Sequence, residues 1–157
     1  MKKLPLLSYG LALVVIVLDQ LSKHWILNVF RLPEKGSVLV GGPFSLTMVW
    51  NQGVSFGLLK AQMDFARWAL VVFSLAVAAF LVFWARKVEK PLLATGLGLI
   101  IGGAVGNAID RARFGAVADF LDFKALHFPW VFNIADSAIT VGVVILILDS
   151  LRSEKRG

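Results

Sequence analysis

The chain has 157 residues, 58% of them hydrophobic, and a mean hydropathy of +0.79, well above the apolar content of ordinary soluble domains. That length is short for two soluble domains but sufficient for a few membrane spans. The absence of cysteine excludes thiol nucleophiles, thiolate metal sites and disulfides, and the net charge of +6 is scattered at the ends of apolar runs instead of forming a basic stripe, which argues for a membrane and against nucleic acid as partner.

The first predicted span runs from about Leu4 to Trp25, with its uninterrupted apolar part ending at Leu18. Two lysines before an apolar stretch also resemble a signal peptide. No A-x-A-like site follows, however, and Asp19-Gln-Leu-Ser-Lys23 sits where cleavage would fall, so an uncleaved span is expected. The outer loop 28–67 is too long for a plain connector. Within it, Phe44-Ser-Leu-Thr-Met-Val-Trp50 alternates over part of its length as a half-buried strand does. Gly41-Gly-Pro43 can turn it back on Val38-Leu-Val40, which predicts a small sheet on the outer membrane surface. Gln62-Met-Asp-Phe-Ala-Arg67 is expected to be a short interfacial helix leading into the second span, Trp68–Ala85. The third span, Pro91–Ile109, is rich in glycine; a second outer loop covers 110–132; the fourth span runs from about Asn133 to Leu151. At about 1.5 Å per residue, roughly 20 residues cross a hydrocarbon core of roughly 30 Å. The predicted architecture is one membrane-embedded domain over residues 1–157. It is an all-α polytopic membrane protein: four transmembrane helices with a small extracytoplasmic β-sheet and a short interfacial helix.

Met1-Lys-Lys, Arg86-Lys-Val-Glu-Lys90 and Arg152-Ser-Glu-Lys-Arg156 share one side in a four-span topology, and the positive-inside rule makes that side cytoplasmic, with both termini. The other side also carries lysines and arginines, but over longer loops and often beside acids.

Against this apolar background, polar residues stand out. Asp136 precedes twelve uncharged residues, Ser137–Leu148, in what otherwise reads as a span. A carboxylate at the centre of a membrane helix costs about 2.5–3.5 kcal/mol on insertion scales. Asp19 falls roughly 8 Å short of the outer face of the core, and Asp136 about 22 Å from the inner end, so the polar groups gather near the outer leaflet. Asp19 and Lys23 are four residues apart and can pair. Gly98, Gly102, Gly106 and Asp110 form one helical row, with Gly103, Asn107 and Arg111 beside it; small residues of this kind admit a neighbouring helix. Asn133, Asp136, Ser137 and Thr140 share one face of the fourth span. Asp122 and Asp149 read most simply as solvated or interfacial charges. Asp119 and Asp136 together have no simple packing explanation.

Several chemistries can be weighed on these residues. The zinc-protease signature H-E-x-x-H, the G-x-S-x-G elbow, the P-loop and dinucleotide fingerprints do not occur, and neither His24 nor His127 has a second histidine at ligand spacing. A serine–lysine dyad such as Ser55 with Lys23 is compatible with the spacing. The most coherent choice is an aspartate pair sharing one proton, needing no metal or cofactor. Two close carboxylates in a low-dielectric setting do not both ionise easily, so one can activate water while the other polarises a peptide carbonyl. The rival is a non-enzymatic lipid-binding scaffold or small transporter with structural intramembrane acids.

Five blocks, in order, resemble the motifs of lipoprotein signal peptidase, the bacterial signal peptidase II family. They are Asp19-Gln-Leu-Ser-Lys23, Asn51-Gln-Gly-Val-Ser-Phe56, Gly102-Gly-Ala-Val-Gly-Asn-Ala-Ile-Asp-Arg111, Val117-Ala-Asp-Phe120 and Phe132-Asn-Ile-Ala-Asp-Ser137. The resemblance implies an aspartic endopeptidase of the bacterial inner membrane whose active site lies near the outer leaflet. It would cut prolipoproteins on the amino side of a diacylglyceryl-modified cysteine. It implies Asp119 and Asp136 as the catalytic pair. Asn51, Gly53, Asn107, Arg111 and Asn133 would line the substrate site, supported by Asp19, Lys23 and Asp110. The implied partners are the prolipoprotein signal peptide, membrane lipid and cyclic-peptide inhibitors such as globomycin. The chain is expected to act as a monomer.

Overall fold

The computed structural model describes residues 3–53 and 60–154, with side chains over 3–53 and 64–151. The chain forms helix α1 (Lys3–His24), closed by a π-helical turn over Trp25–Val29, then a short α2 (Leu32–Lys35) and a hairpin of β1 (Ser37–Gly41) and β2 (Phe44–Asn51). Helix α3 (Lys60–Ala85) and α4 (Pro91–Phe114) follow, then β3 (Val117–Asp122), a 3-10 turn over Lys124–Leu126, β4 (Val131–Phe132) and α5 (Ile134–Glu154). Four of these helical stretches are long and apolar enough to cross a membrane: Lys3–Val29, Asp64–Ala85, Pro91–Phe114 and Ile134–Leu151.

Glycine decides which helix occupies the centre. Of the apolar stretch of α4, 67% is buried within the protein, against 22%, 22% and 17% for the spans of α1, α3 and α5. A Cβ placed on Gly98 would lie 2.6 Å from Ser8 O, and one on Gly102 would lie 2.7 Å from Ala12 O. On the adjacent face, Gly103 meets the backbone of Ala135, and Gly96 lies against Gly142 O. Both predicted glycine rows are therefore helix–helix contacts. In lipid, where apolar burial gives helices no net attraction, such close approach supplies the dispersion contacts that hold them. Two side chains add polar contacts: Ser8 Oγ donates to Ala94 O at 2.8 Å and Tyr9 Oη to Val82 O at 3.1 Å. Leu13, Val72, Phe73 and Phe80, each more than 60% exposed, form part of the lipid-facing surface.

The sheet is larger than the sequence predicts. The expected hairpin is present, with Val38 opposite Leu46, but the order is β1-β2-β3-β4, all antiparallel, and two of its strands lie in the segment expected to be a loop over 110–132. In β3, Val117 to Phe120 are all buried, which removes the in–out alternation that marks a half-exposed strand. Its partner β2 is also some seventy residues away in sequence. The segment expected as a separate interfacial helix, Gln62–Arg67, is helical but runs without a break into the second span as the first turns of α3. Asp122, expected to be a solvated or interfacial charge, is 6% exposed; its Oδ1 accepts from the Lys124 backbone N–H at 2.9 Å in the turn after β3.

Candidate active site

The site forms where β3 and the first turn of α5 meet the end of α4. Register places Asp119 opposite Val49 and Val117 opposite Asn51, so Asn51 stands two residues along β2 from the partner of Asp119. From there Asn51 Nδ2 donates to Asp119 Oδ2 at 3.1 Å. Leu121 pairs with Phe132, which sets Asn133 as the residue between β4 and α5. Asn133 caps that helix: its Oδ1 accepts the Asp136 N–H at 2.9 Å, and its Nδ2 donates to Asp119 Oδ1 at 2.7 Å. Asn107 Nδ2 donates to Asp136 Oδ1 at 2.7 Å, while Asn107 Oδ1 accepts from Asn133 Nδ2 at 3.3 Å.

Hydrogen-bond direction explains why these positions are asparagines. The Asn51 and Asn133 oxygens are occupied by the backbone N–H groups of Gly53 and Asp136, so both amide nitrogens turn toward Asp119. The Asn107 oxygen faces Asn133, which leaves its nitrogen for Asp136. Three amides thus present N–H groups to two carboxylates, and Asn133 joins the Asp119 carboxylate to the Asp136 backbone. Asp119 is 1% exposed and Asp136 half-buried. Burial first, and the Asp136 charge second, push the Asp119 carboxyl up to about 6, against the opposing pull of the Asn51 and Asn133 amides.

An ion triad lies beneath. Lys23 Nζ is 2.9 Å from Asp19 Oδ2 and 2.7 Å from Asp110 Oδ2, and both acids are fully buried. Gln20 Nε2 joins the two acids at 3.1 and 3.0 Å. Asp19 Oδ1 accepts the Ala135 N–H at 3.0 Å, and Asp110 Oδ2 accepts the Ala118 N–H at 3.1 Å. Ala118 and Ala135 are the residues immediately before Asp119 and Asp136. The triad therefore holds both acidic residues by the backbone. Gly106 makes room for it, since a Cβ there would lie 2.7 Å from Asp19 Oδ2. With Lys23 committed in this way, a serine–lysine arrangement loses its base; Ser55 lies outside the described residues, as do Val54 and Phe56 of the same motif.

Arg111 does not form a simple pair with Asp110, whose oxygens face Lys23, Gln20 and Ala118. Its guanidinium interacts electrostatically with Asp136, Asp119 and Asp110, and lies 3.7 Å from where a Cβ on Gly53 would sit. Gly53 has a φ of +78°, the left-handed region that favours glycine. Arg111 Nε is buried without a hydrogen-bond partner among the described residues.

Sequence reasoning missed two contributors. Arg67 donates from Nε to Arg111 O and from Nη2 to Ala112 O, both at 2.7 Å, tying α3 to the last turn of α4. Its only sequence signal is a cation at a span boundary. Trp130 lines two openings next to the carboxylates. One, of about 240 Å³, is apolar and is bounded by Phe128, Phe132, Asp136 and Val141; the other, of about 350 Å³, is polar and is bounded by Asn51, Asp119 and Lys124.

Comparison with known proteins places this geometry in a family. The peptidase A8 family described as Signal peptidase (SPase) II matches residues 11–152. The chain belongs to the signal peptidase II family. Its relatives include the lipoprotein signal peptidase of Caulobacter vibrioides, 53% identical over 95% of this chain and 89% of that protein. That of Beijerinckia indica subsp. indica is 44% identical over 93% and 88%. A solved structure described as a bacterial membrane enzyme aligns with a TM-score of 0.77 at 28% identity, covering 95% of this chain and 90% of that one. As a member of signal peptidase II, the chain is a multi-pass bacterial membrane peptidase, and the reading as a non-enzymatic scaffold or transporter has no support.

Proposed function

We propose that this chain removes the signal peptide from diacylglyceryl-modified prolipoproteins, cutting on the amino side of the lipidated cysteine, with Asp119 and Asp136 as its catalytic pair. The observation that carries the reading is the asparagine network, in which Asn133 joins the Asp119 carboxylate to the Asp136 backbone and Asn107 donates to the Asp136 carboxylate, within a member of the signal peptidase II family. The whole chain acts as a single membrane-embedded peptidase domain.

With one proton on the pair, the ionised carboxylate takes a proton from water as the oxygen attacks the scissile carbonyl. The protonated carboxyl hydrogen-bonds to, and then protonates, the carbonyl oxygen. Collapse of the resulting diol breaks the C–N bond: one hydroxyl returns its proton to the ionised carboxylate as the C=O re-forms, and the protonated carboxyl gives its proton to the departing amine. The new carboxyl and amine leave, and the pair again holds one proton, which belongs to both residues. Asn51, Asn107 and Asn133 position the carboxylates, while Arg111 and Gly53 edge the space for substrate. Asp19, Lys23 and Asp110 support the pair from beneath.

The reaction belongs at the outer leaflet of the inner membrane, with both termini cytoplasmic. The basic turn Arg86–Lys90 lies at the far end of α3 from Arg67, which supports that orientation. The chain acts as a monomer, and globomycin-like cyclic peptides would compete for the same cleft. The test uses purified protein with diacylglyceryl-modified and unmodified precursor peptides. Cleavage before the modified cysteine is expected, with a loss of about 10²–10⁴-fold in Asp119→Asn and in Asp136→Asn. Near-normal turnover in both variants would sink the proposal.

A further inference from the structure

A cleft of about 550 Å³ lies at the end of α3 remote from the acidic pair, lined by Phe80, Phe83, Trp84, Arg86 and Lys87. Its aromatic wall faces outward: Phe80 and Phe83 are 65% and 60% exposed, and the Phe80 and Trp84 rings stand 6.2 Å apart, tilted by 50°. Its rim is cationic. The Arg86 guanidinium sits 4.8 Å above the Phe83 ring, and among the described residues neither Arg86 nor Lys87 is in an ion pair, while the nearby Lys90 is engaged with Asp149. Among the described residues, no carboxylate lines the cleft.

We infer that this cleft binds an anionic phospholipid, with its phosphate on Arg86 and Lys87 and an acyl chain along Phe80, Phe83 and Trp84. Position and charge both favour that occupant. The aromatic residues belong to a membrane span and the cations follow it directly, so an amphiphile matches both parts at once. The end of α3 carries roughly half a negative charge from its dipole, which opposes an anion, but two full cations outweigh it. Zwitterionic lipid fills the apolar part equally well and gains little at the rim, so the cleft selects for net negative headgroups. Assignment to the cytoplasmic leaflet rests on the orientation proposed above; the lipid preference itself does not.

Trp84 provides the probe. The full-length protein is placed in phosphatidylcholine nanodiscs, and phosphatidylglycerol or phosphatidylcholine with brominated acyl chains is titrated in. The Trp84 signal is taken as the difference between wild type and Trp84→Phe. Brominated phosphatidylglycerol is expected to quench it with a preference on the order of tenfold, from two juxtamembrane cations. That preference should vanish in Arg86→Gln/Lys87→Gln and persist in millimolar inorganic phosphate. Equal quenching by the two lipids, a preference retained in the double variant, or displacement by inorganic phosphate would each overturn the inference. Cleavage of lipidated precursor by the double variant, assayed in neutral detergent, should stay at the wild-type level. That control separates the lipid site from the peptidase reading.

Discussion

At the residue scale, the properties of Asp119 follow from what surrounds it. Burial and the neighbouring Asp136 charge raise its carboxyl to about 6, and two amide donors resist that rise. The folded protein keeps this proton to a higher pH than the unfolded chain, so the contribution of this group to stability falls as pH rises from about 4 to about 6. The one-proton form of the pair is lost as pH rises through about 6. The kcat/KM profile should therefore show an alkaline limb beginning near pH 6, and a flat profile through neutral and alkaline pH would contradict a shared proton. Asp136→Asn removes the second cause and leaves burial in place. Infrared or NMR titration of Asp119 in that variant should give a lower value than in wild type, still above an ordinary aspartate. Asp136 was legible in the sequence because a carboxylate in an apolar run is conspicuous. Helical spacing singled out Asn107 and Asn133, but the site role of all three asparagines came only by resemblance, since an asparagine in a loop or helix end carries no pattern that says which way its amide turns.

At the scale of elements, α4 is defined by what it lacks. Its glycine rows were visible as spacing, and packing was their simplest explanation. The structure supplies the partners: Ser8, Ala12 and Val15 of α1 on one side, Ala135 and Ile139 of α5 on the other. Leucine at Gly102 or Gly106 has no room, because even a methyl would lie within 2.7 Å of an α1 atom. Either substitution should lower stability by about 1–3 kcal/mol or more, read as the thermal unfolding midpoint in detergent, with loss of activity. Wild-type stability in both would rule out the packing described here. Strand β3 was illegible for the opposite reason. It is buried on both faces and pairs with a segment far away in the chain, so it has neither the alternation nor the nearby turn that betrayed β1 and β2.

At the scale of the whole molecule, Lys23 connects four elements. It neutralises acids from α1 and α4, and those acids accept the backbone N–H groups that begin β3 and α5. Lys23→Met would leave two fully buried carboxylates without their cation, at a cost of about 3–5 kcal/mol. A large fall in the unfolding midpoint together with loss of cleavage is expected. A variant with wild-type stability would show that the triad is dispensable. Arg67 works in the same way from α3, so each of the four spans is tied to the end of the bundle where Asp119 and Asp136 meet.

By itself the sequence determined the number of spans, the glycine packing rows, the Asp19–Lys23 pair and the position of an out-of-place carboxylate in the fourth span. All of these rest on local quantities: run length, helical spacing and the cost of charge in lipid. Only the tertiary structure decided that a strand carries Asp119 beside β2, that Asn133 joins the Asp119 carboxylate to the Asp136 backbone, and that one ion triad secures the residue before each of them. Those contacts join segments up to 116 residues apart. Their free energy comes from burial and hydrogen-bond direction, which exist only once the helices have packed.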